Sequence, residues 1–200
     1  MNKISALGRV ITLGSIVTAA AHAAVLFDIT SSLQLTDPVQ LGRLSRNSIQ
    51  QDWVGSEPFP GVVNPTTPYH YTTYSVNVGV SNFVQIDFDD VAGLAQTFVS
   101  AYQTSYSPLS FSTNWLGDPG LSGNLFGNPL FFNVVAAKNS NLIVVVNNTL
   151  GVNLGVGDQY HLTVEGFVDT DFTDAPEPSA EFLCVGGLAA LAGRRIWRRI

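Results

Sequence analysis

Residues 70–89 read His-Tyr-Thr-Thr-Tyr-Ser-Val-Asn-Val-Gly-Val-Ser-Asn-Phe-Val-Gln-Ile-Asp-Phe-Asp, and the period of this stretch decides the fold. From Tyr74 to Val80, aromatic residues or valine alternate with small polar ones. After Asn82 the alternation resumes, with Val84, Ile86 and Phe88 on one side and Gln85, Asp87 and Asp89 on the other. A period of two places successive side chains on opposite faces of an extended strand, so each run reads as a half-buried β-strand. Residues 79–82, containing Gly79 and Asn82, are expected to be a hairpin connection between them.

Working outward, residues 25–35, 96–103, 130–137, 141–147 and 159–168 are further strand candidates. Lys138-Asn139-Ser140 is a compact turn between two very apolar runs, 131–136 and 142–146, which suit strands covered on both sides or central in a sheet. Asp118-Pro119-Gly120 and Asn128-Pro129 break the chain between strands. No sustained helical stripe occurs in this region. The expected fold is all-β: a jelly-roll-like β-sandwich of about seven or eight strands over residues 24–168. An N-terminal signal helix and a short C-terminal apolar helix are expected to flank it.

Composition narrows the function. Of 200 residues, 46% are hydrophobic and only 12% charged, with fifteen acidic residues against nine basic ones. The chain is too apolar to be disordered. A pI near 4.8 excludes the basic patch expected of a nucleic-acid-binding protein. The single cysteine, Cys184, cannot form an internal disulfide, and no Cys/His spacing suits zinc. Basic residues cluster at the two ends, leaving only Arg43, Arg46 and Lys138 between. Residues 24–175 therefore carry thirteen acids and three bases, a net −10.

The ends read as address signals. Lys3 and Arg9 precede an apolar run over residues 10–20, then Ala21-His22-Ala23, the parts of a secretory signal peptide in order. Residues 1–23 are expected to be removed after Ala23, leaving Ala24 first. At the other end an acidic linker, residues 169–175, leads into Pro176-Glu177-Pro178. An uncharged run over residues 182–193 follows, and then Arg194, Arg195, Arg198 and Arg199. Such arginines are held on the cytoplasmic side by the positive-inside bias. Twelve uncharged residues fall short of the roughly 20 that span a bilayer core, so a temporary hold suits this segment better than a permanent anchor. Cys184 within it reads as a small apolar residue.

Residues 176–200 resemble the PEP-CTERM sorting signal of Gram-negative bacteria, in its three parts and their order. That resemblance implies recognition of Pro176, Glu177 and Pro178 by exosortase, a membrane-embedded protease. It also implies retention of the arginine cluster in the cytoplasm until cleavage, and release to the cell surface or extracellular matrix, often alongside exopolysaccharide. The partners implied are exosortase, the export machinery and, transiently, the inner membrane. The middle is similar to the bacterial pre-peptidase C-terminal β-sandwich domain through Gln85 to Asp89 and Tyr160-His161-Leu162-Thr163-Val164. This likeness implies a non-enzymatic accessory or binding module.

Three sets of residues are candidates for chemistry. Asp87, Asp89 and Asp90 form the densest acidic cluster, and three converging carboxylates suit Ca²⁺; the bland alternative is a solvated strand end, and no cofactor is required. Trp53 and Trp115 are the expected exposed pair for an exopolysaccharide platform, with Trp115 in a polar loop; aromatic rings otherwise fill cores. His70 and His161 are the best candidates for a hydrolase, yet no serine sits in a nucleophile elbow. A solvent-side histidine pair is the plainer reading. Asn147-Asn148-Thr149 matches a glycosylation acceptor by accident. The expected protein is an exported, non-enzymatic surface or matrix β-sandwich, with carbohydrate binding second and hydrolysis third.

Overall fold

A computed structural model describes residues 23–46, 49–53, 55, 57–91, 96–123, 129–151 and 153–168. They form strands β1 (Ala24–Ser32), β2 (Val39–Leu44), β3 (Val62–Asn77), β4 (Phe83–Asp90), β5 (Thr97–Gln103), β6 (Trp115–Gly117), β7 (Leu130–Val135), β8 (Asn141–Asn148) and β9 (Gln159–Phe167). No helix occurs among the described residues. The strands build two antiparallel sheets, one ordered β1-β9-β4-β7 and the other β2-β3-β8-β5-β6.

The expected alternation is present rung by rung. In β4, Val84, Ile86 and Phe88 are fully buried, while Gln85 and Asp87 between them are partly exposed. In β9, Tyr160, Leu162 and Val164 are buried and His161, Thr163 and Glu165 face outward. These residues meet Val76 of β3, Val99 and Ala101 of β5, and Leu142, Val144 and Val146 of β8 in one apolar cluster between the sheets. Burying a Val, Leu or Phe side chain contributes about 1.5–3 kcal/mol. Packing of this kind, with no cysteine in the domain, holds the two layers together.

One polar strut crosses that core. The hydroxyls of Tyr74 on β3 and Tyr160 on β9 lie 2.6 Å apart, bonding one sheet to the other. Burial, then the neighbouring Tyr74, pushes the Tyr160 phenol well above its usual range. The Tyr160 group is therefore a neutral hydroxyl.

The connections differ from expectation. Residues 79–82 do not close a hairpin, because β3 and β4 belong to opposite sheets. The Lys138-Asn139-Ser140 turn likewise passes from β7 in one sheet to β8 in the other. The two corners lie side by side: Val78 N donates to Ser140 O at 3.0 Å and Asn139 N to Gly79 O at 2.6 Å. Gly79 and Asn139 both take left-handed backbone, at φ 56° and 59°, which glycine and asparagine tolerate best. Alternation assigns residues to faces and is silent about which strand pairs with which.

Sequence reading also missed β2, the first half of β3, and β6. Pro65 and Pro68 within β3 disguise a strand that bends past β2 with a shift of register between Leu41 and Arg43. Gly42, at φ 81°, makes the bend on the β2 side; a Cβ there would stand 2.9 Å from Val62 Cγ1. The outer face of the larger sheet has its own apolar cover, in which Leu44, Phe98 and Phe111 pack with Phe59, Tyr106 and Trp115.

Candidate functional site

The outer face of the smaller sheet gathers most of the polar candidates. Asp28 on β1 pairs with Thr163 on β9, which in turn pairs with Asp87 on β4. One rung along, Thr30, His161 and Asp89 stand in line. Asp87, Asp89, His161, Thr163 and Glu165, with Phe88 and Pro129, line a shallow depression of about 330 Å³. His161 Nε2 lies 3.3 Å from Asp28 Oδ1, with both side chains well exposed, a pair of little energetic weight. Gln85 Nε2 donates to both carboxylate oxygens of Asp87, at 3.0 and 3.1 Å. The surface is rich in hydrogen-bond acceptors.

Asp87, Asp89 and Asp90 do not converge. The period of two that turns Asp87 and Asp89 outward turns Asp90 inward, where it is fully buried. Asp90 Oδ2 accepts from Thr97 Oγ1 at 2.9 Å and from Gln96 N at 3.2 Å, tying β4 to the start of β5 in the other sheet. Among the described residues, no group of three or more His, Cys, Asp or Glu side chains is placed to hold a metal ion. The expectation that Asp87, Asp89 and Asp90 converge is corrected accordingly.

The tryptophans are not a flat exposed pair. Trp53 is half-buried: its Nε1 donates to Val84 O at 3.2 Å, and its ring meets Phe83 and Phe167 edge-on, with centroids 5.8 and 5.2 Å away. Trp115 begins β6 instead of lying in a loop, and packs edge-on against Phe59 at 5.6 Å. Both rings pack against neighbouring aromatics, as large aromatics commonly do. The rings of Tyr102 and Tyr106 meet edge-on with centroids 4.7 Å apart, and burial pushes both phenols up.

The histidines are separated. His70 lies on β3 in the larger sheet, 9% exposed, with Nδ1 donating to the Asp37 carbonyl at 3.1 Å. His161 faces solvent from the smaller sheet. They form neither a catalytic pair nor a solvent-side pair. In the Asn147-Asn148-Thr149 match, Asn147 is buried and its amide donates to Asn148 O at 2.7 Å.

Ala23 precedes β1 and Ala24 opens it. Ala21, the sorting motif at Pro176, Glu177 and Pro178, the residue 182–193 run and Arg194, Arg195, Arg198 and Arg199 lie outside the described residues.

Arg43 and Arg46 were passed over as candidates. Their signal was numerical: two of the three basic residues between positions 24 and 175 fall within four residues of each other. Both line one polar hollow of about 260 Å³ with Ser45, Val63 and Asn64. Burial, and then the charge of Arg43, lowers the Arg46 guanidinium from its usual range. Comparison of the chain with protein-family models, with curated proteins and with solved structures finds no match.

Proposed function

We propose that this chain is an exported, non-enzymatic β-sandwich that serves as a cell-surface or extracellular-matrix component after sorting by an exosortase. The observation that carries the reading is the order of parts at residues 176–200: Pro-Glu-Pro, an uncharged run, and four arginines. The signal-peptide pattern at the opposite end supports it. So does the placement of the domain between them. A cut after Ala23 leaves β1 whole, since that strand begins at Ala24. A cut near Pro178 leaves β9 whole, since that strand ends at Phe167. On this reading the tail holds the protein at the inner membrane only until cleavage.

We also read the sandwich as a jelly roll. With β2 set aside as an added edge strand, the sheets run β1-β9-β4-β7 and β3-β8-β5-β6. That interleaving of early and late strands is what two Greek keys folded together produce. It suits a module that presents a rigid surface.

Mass spectrometry of the protein recovered from the native cell surface or medium tests the proposal. The expected mature species begins at Ala24 and lacks residues after about Pro178. Recovery of an intact tail carrying Arg198 and Arg199 would overturn it.

A further inference from the structure

Arg43 and Arg46 stand out in a domain dominated by carboxylates. Arg43 is 8% exposed. Its Nε donates to Thr149 O at 3.0 Å and its Nη1 to Leu44 O at 2.9 Å. Its guanidinium carbon lies 5.8 Å from the centre of the Tyr69 ring, within cation–π range. Three contacts thus fix the plane of the group, and Nη2 is left without a hydrogen bond among the described residues. Arg46 donates through Nη1 to Ser122 Oγ. Asn64, at φ 50°, is held by its Nδ2 bond to Tyr69 Oη at 3.0 Å. Ser45 and Asn64 add further polar groups to the wall.

Neither guanidinium forms an ion pair with a carboxylate among the described residues. Two like charges placed together and partly dehydrated are costly unless something anionic compensates them. The domain has carboxylates in excess, and none is used here. The register shift between Leu41 and Arg43 leaves Gly42 and Asn64 out of the β2–β3 pairing, beside the hollow that both arginines line.

From this geometry we infer that the Arg43–Arg46 hollow is a binding site for a single oxyanion group, a carboxylate, sulfate or phosphate. A guanidinium offers planar N–H donors suited to such a group, and its charge roughly doubles the strength of each hydrogen bond. Arg43 supplies a rigid donor and Arg46 a second one that can turn toward the ligand. The surrounding negative charge opposes the approach of an anion. In about 0.1 M salt, however, charges more than about 10 Å away are largely screened, whereas the partly buried arginine pair is screened much less. The site therefore selects at contact distance. This inference is independent of the sorting signal and of the surface role proposed above.

The test is a titration of the full ¹⁵N-labelled chain in about 0.1 M NaCl, the ionic strength of the screening argument, followed through the arginine Nε–Hε signals by NMR. Sulfate, phosphate, galacturonate and an oligogalacturonate are the probes. The expected result is saturable shifts of the Arg43 and Arg46 signals with at least one probe, weakened about tenfold or more in Arg46→Gln, as loss of a charge-assisted bond implies. Arg46→Lys should recover part of the affinity, and Lys138→Gln should leave it unchanged. Tighter binding of the oligogalacturonate than of its monomer would support the site with an acidic glycan as source. Equal affinity per group would support it with a free ion as source. Non-saturating shifts with every probe, or equal affinities in the wild type and a folded Arg46→Gln, would overturn the inference.

Discussion

Replacing Tyr160 or Tyr74 by phenylalanine tests whether the hydroxyl bridge between the sheets acts as a unit. The two oxygens are 2.6 Å apart and Tyr160 is fully buried. In Tyr160→Phe the bridge is lost and the half-buried Tyr74 hydroxyl is stranded against the apolar cluster. A lost hydrogen bond costs about 1 kcal/mol, and an orphaned buried hydroxyl about 1–3 kcal/mol. Since Tyr74 is only partly enclosed, about 2 kcal/mol is expected. Tyr74→Phe should cost somewhat less, about 1–2 kcal/mol, because the Ser31 hydroxyl stands beside Tyr160 and offers it another partner. The double variant removes both polar atoms and leaves neither stranded, so its cost should be under about 1 kcal/mol. The assay is urea unfolding of all four proteins as a double-mutant cycle. For a domain of this size each kcal/mol corresponds to about 2–4 °C in Tm, which gives a second reading. Additive single-variant costs would refute the reasoning, since two hydroxyls acting separately are not a bridge.

Two further outcomes are expected. The Asp158 carboxyl is raised above its usual 3.8 by burial and then by Asp90, and its Oδ2 is enclosed with no hydrogen-bond partner among the described residues. A raised carboxyl contributes its full stability below the ordinary value and loses it as pH climbs through the raised one. Asp158→Asn should therefore raise Tm at pH 7 by about 1–2 °C, a small effect because the residue is only partly buried. The gain should close as pH falls toward 3.8, and a pH series of thermal melts that shows the opposite slope refutes it. At the corner between the sheets, Asn139→Ala should cost about 1–2 kcal/mol because alanine resists left-handed backbone, whereas Asn139→Gly should be nearly neutral. Denaturant curves showing the two variants equally stable would remove that argument.

How far the sequence could be read depended on what its pattern encodes. The alternation in β4 and β9 gave their buried faces residue by residue, because a sheet with one wet side writes that side into the chain. Pairing partners were not legible: residues 79–82 carry the same glycine and asparagine whether a turn joins neighbours or crosses between layers. β6 was too short to show a period, and the prolines of β3 hid a long bent strand. Among site residues, the parity that placed Asp87 and Asp89 together already put Asp90 on the other face. His70 and His161, alike in their tyrosine neighbours, proved to sit in different sheets and different surroundings. The arginine hollow required the return of Thr149 and Ser122, about 75 to 105 positions downstream, which no local pattern announces.

The pairing of β1 with β9 has a mechanical consequence. Ala24 stands opposite Gly166, so the first residue of the first strand and the end of the last strand emerge at the same end of the same sheet. A force pulling these two ends apart loads the β1–β9 ladder across its hydrogen bonds and breaks them one rung at a time. The direction in which this ladder opens one rung at a time therefore runs through the ends of the domain. On the matrix role proposed above, attachment by both ends would direct tension onto this ladder.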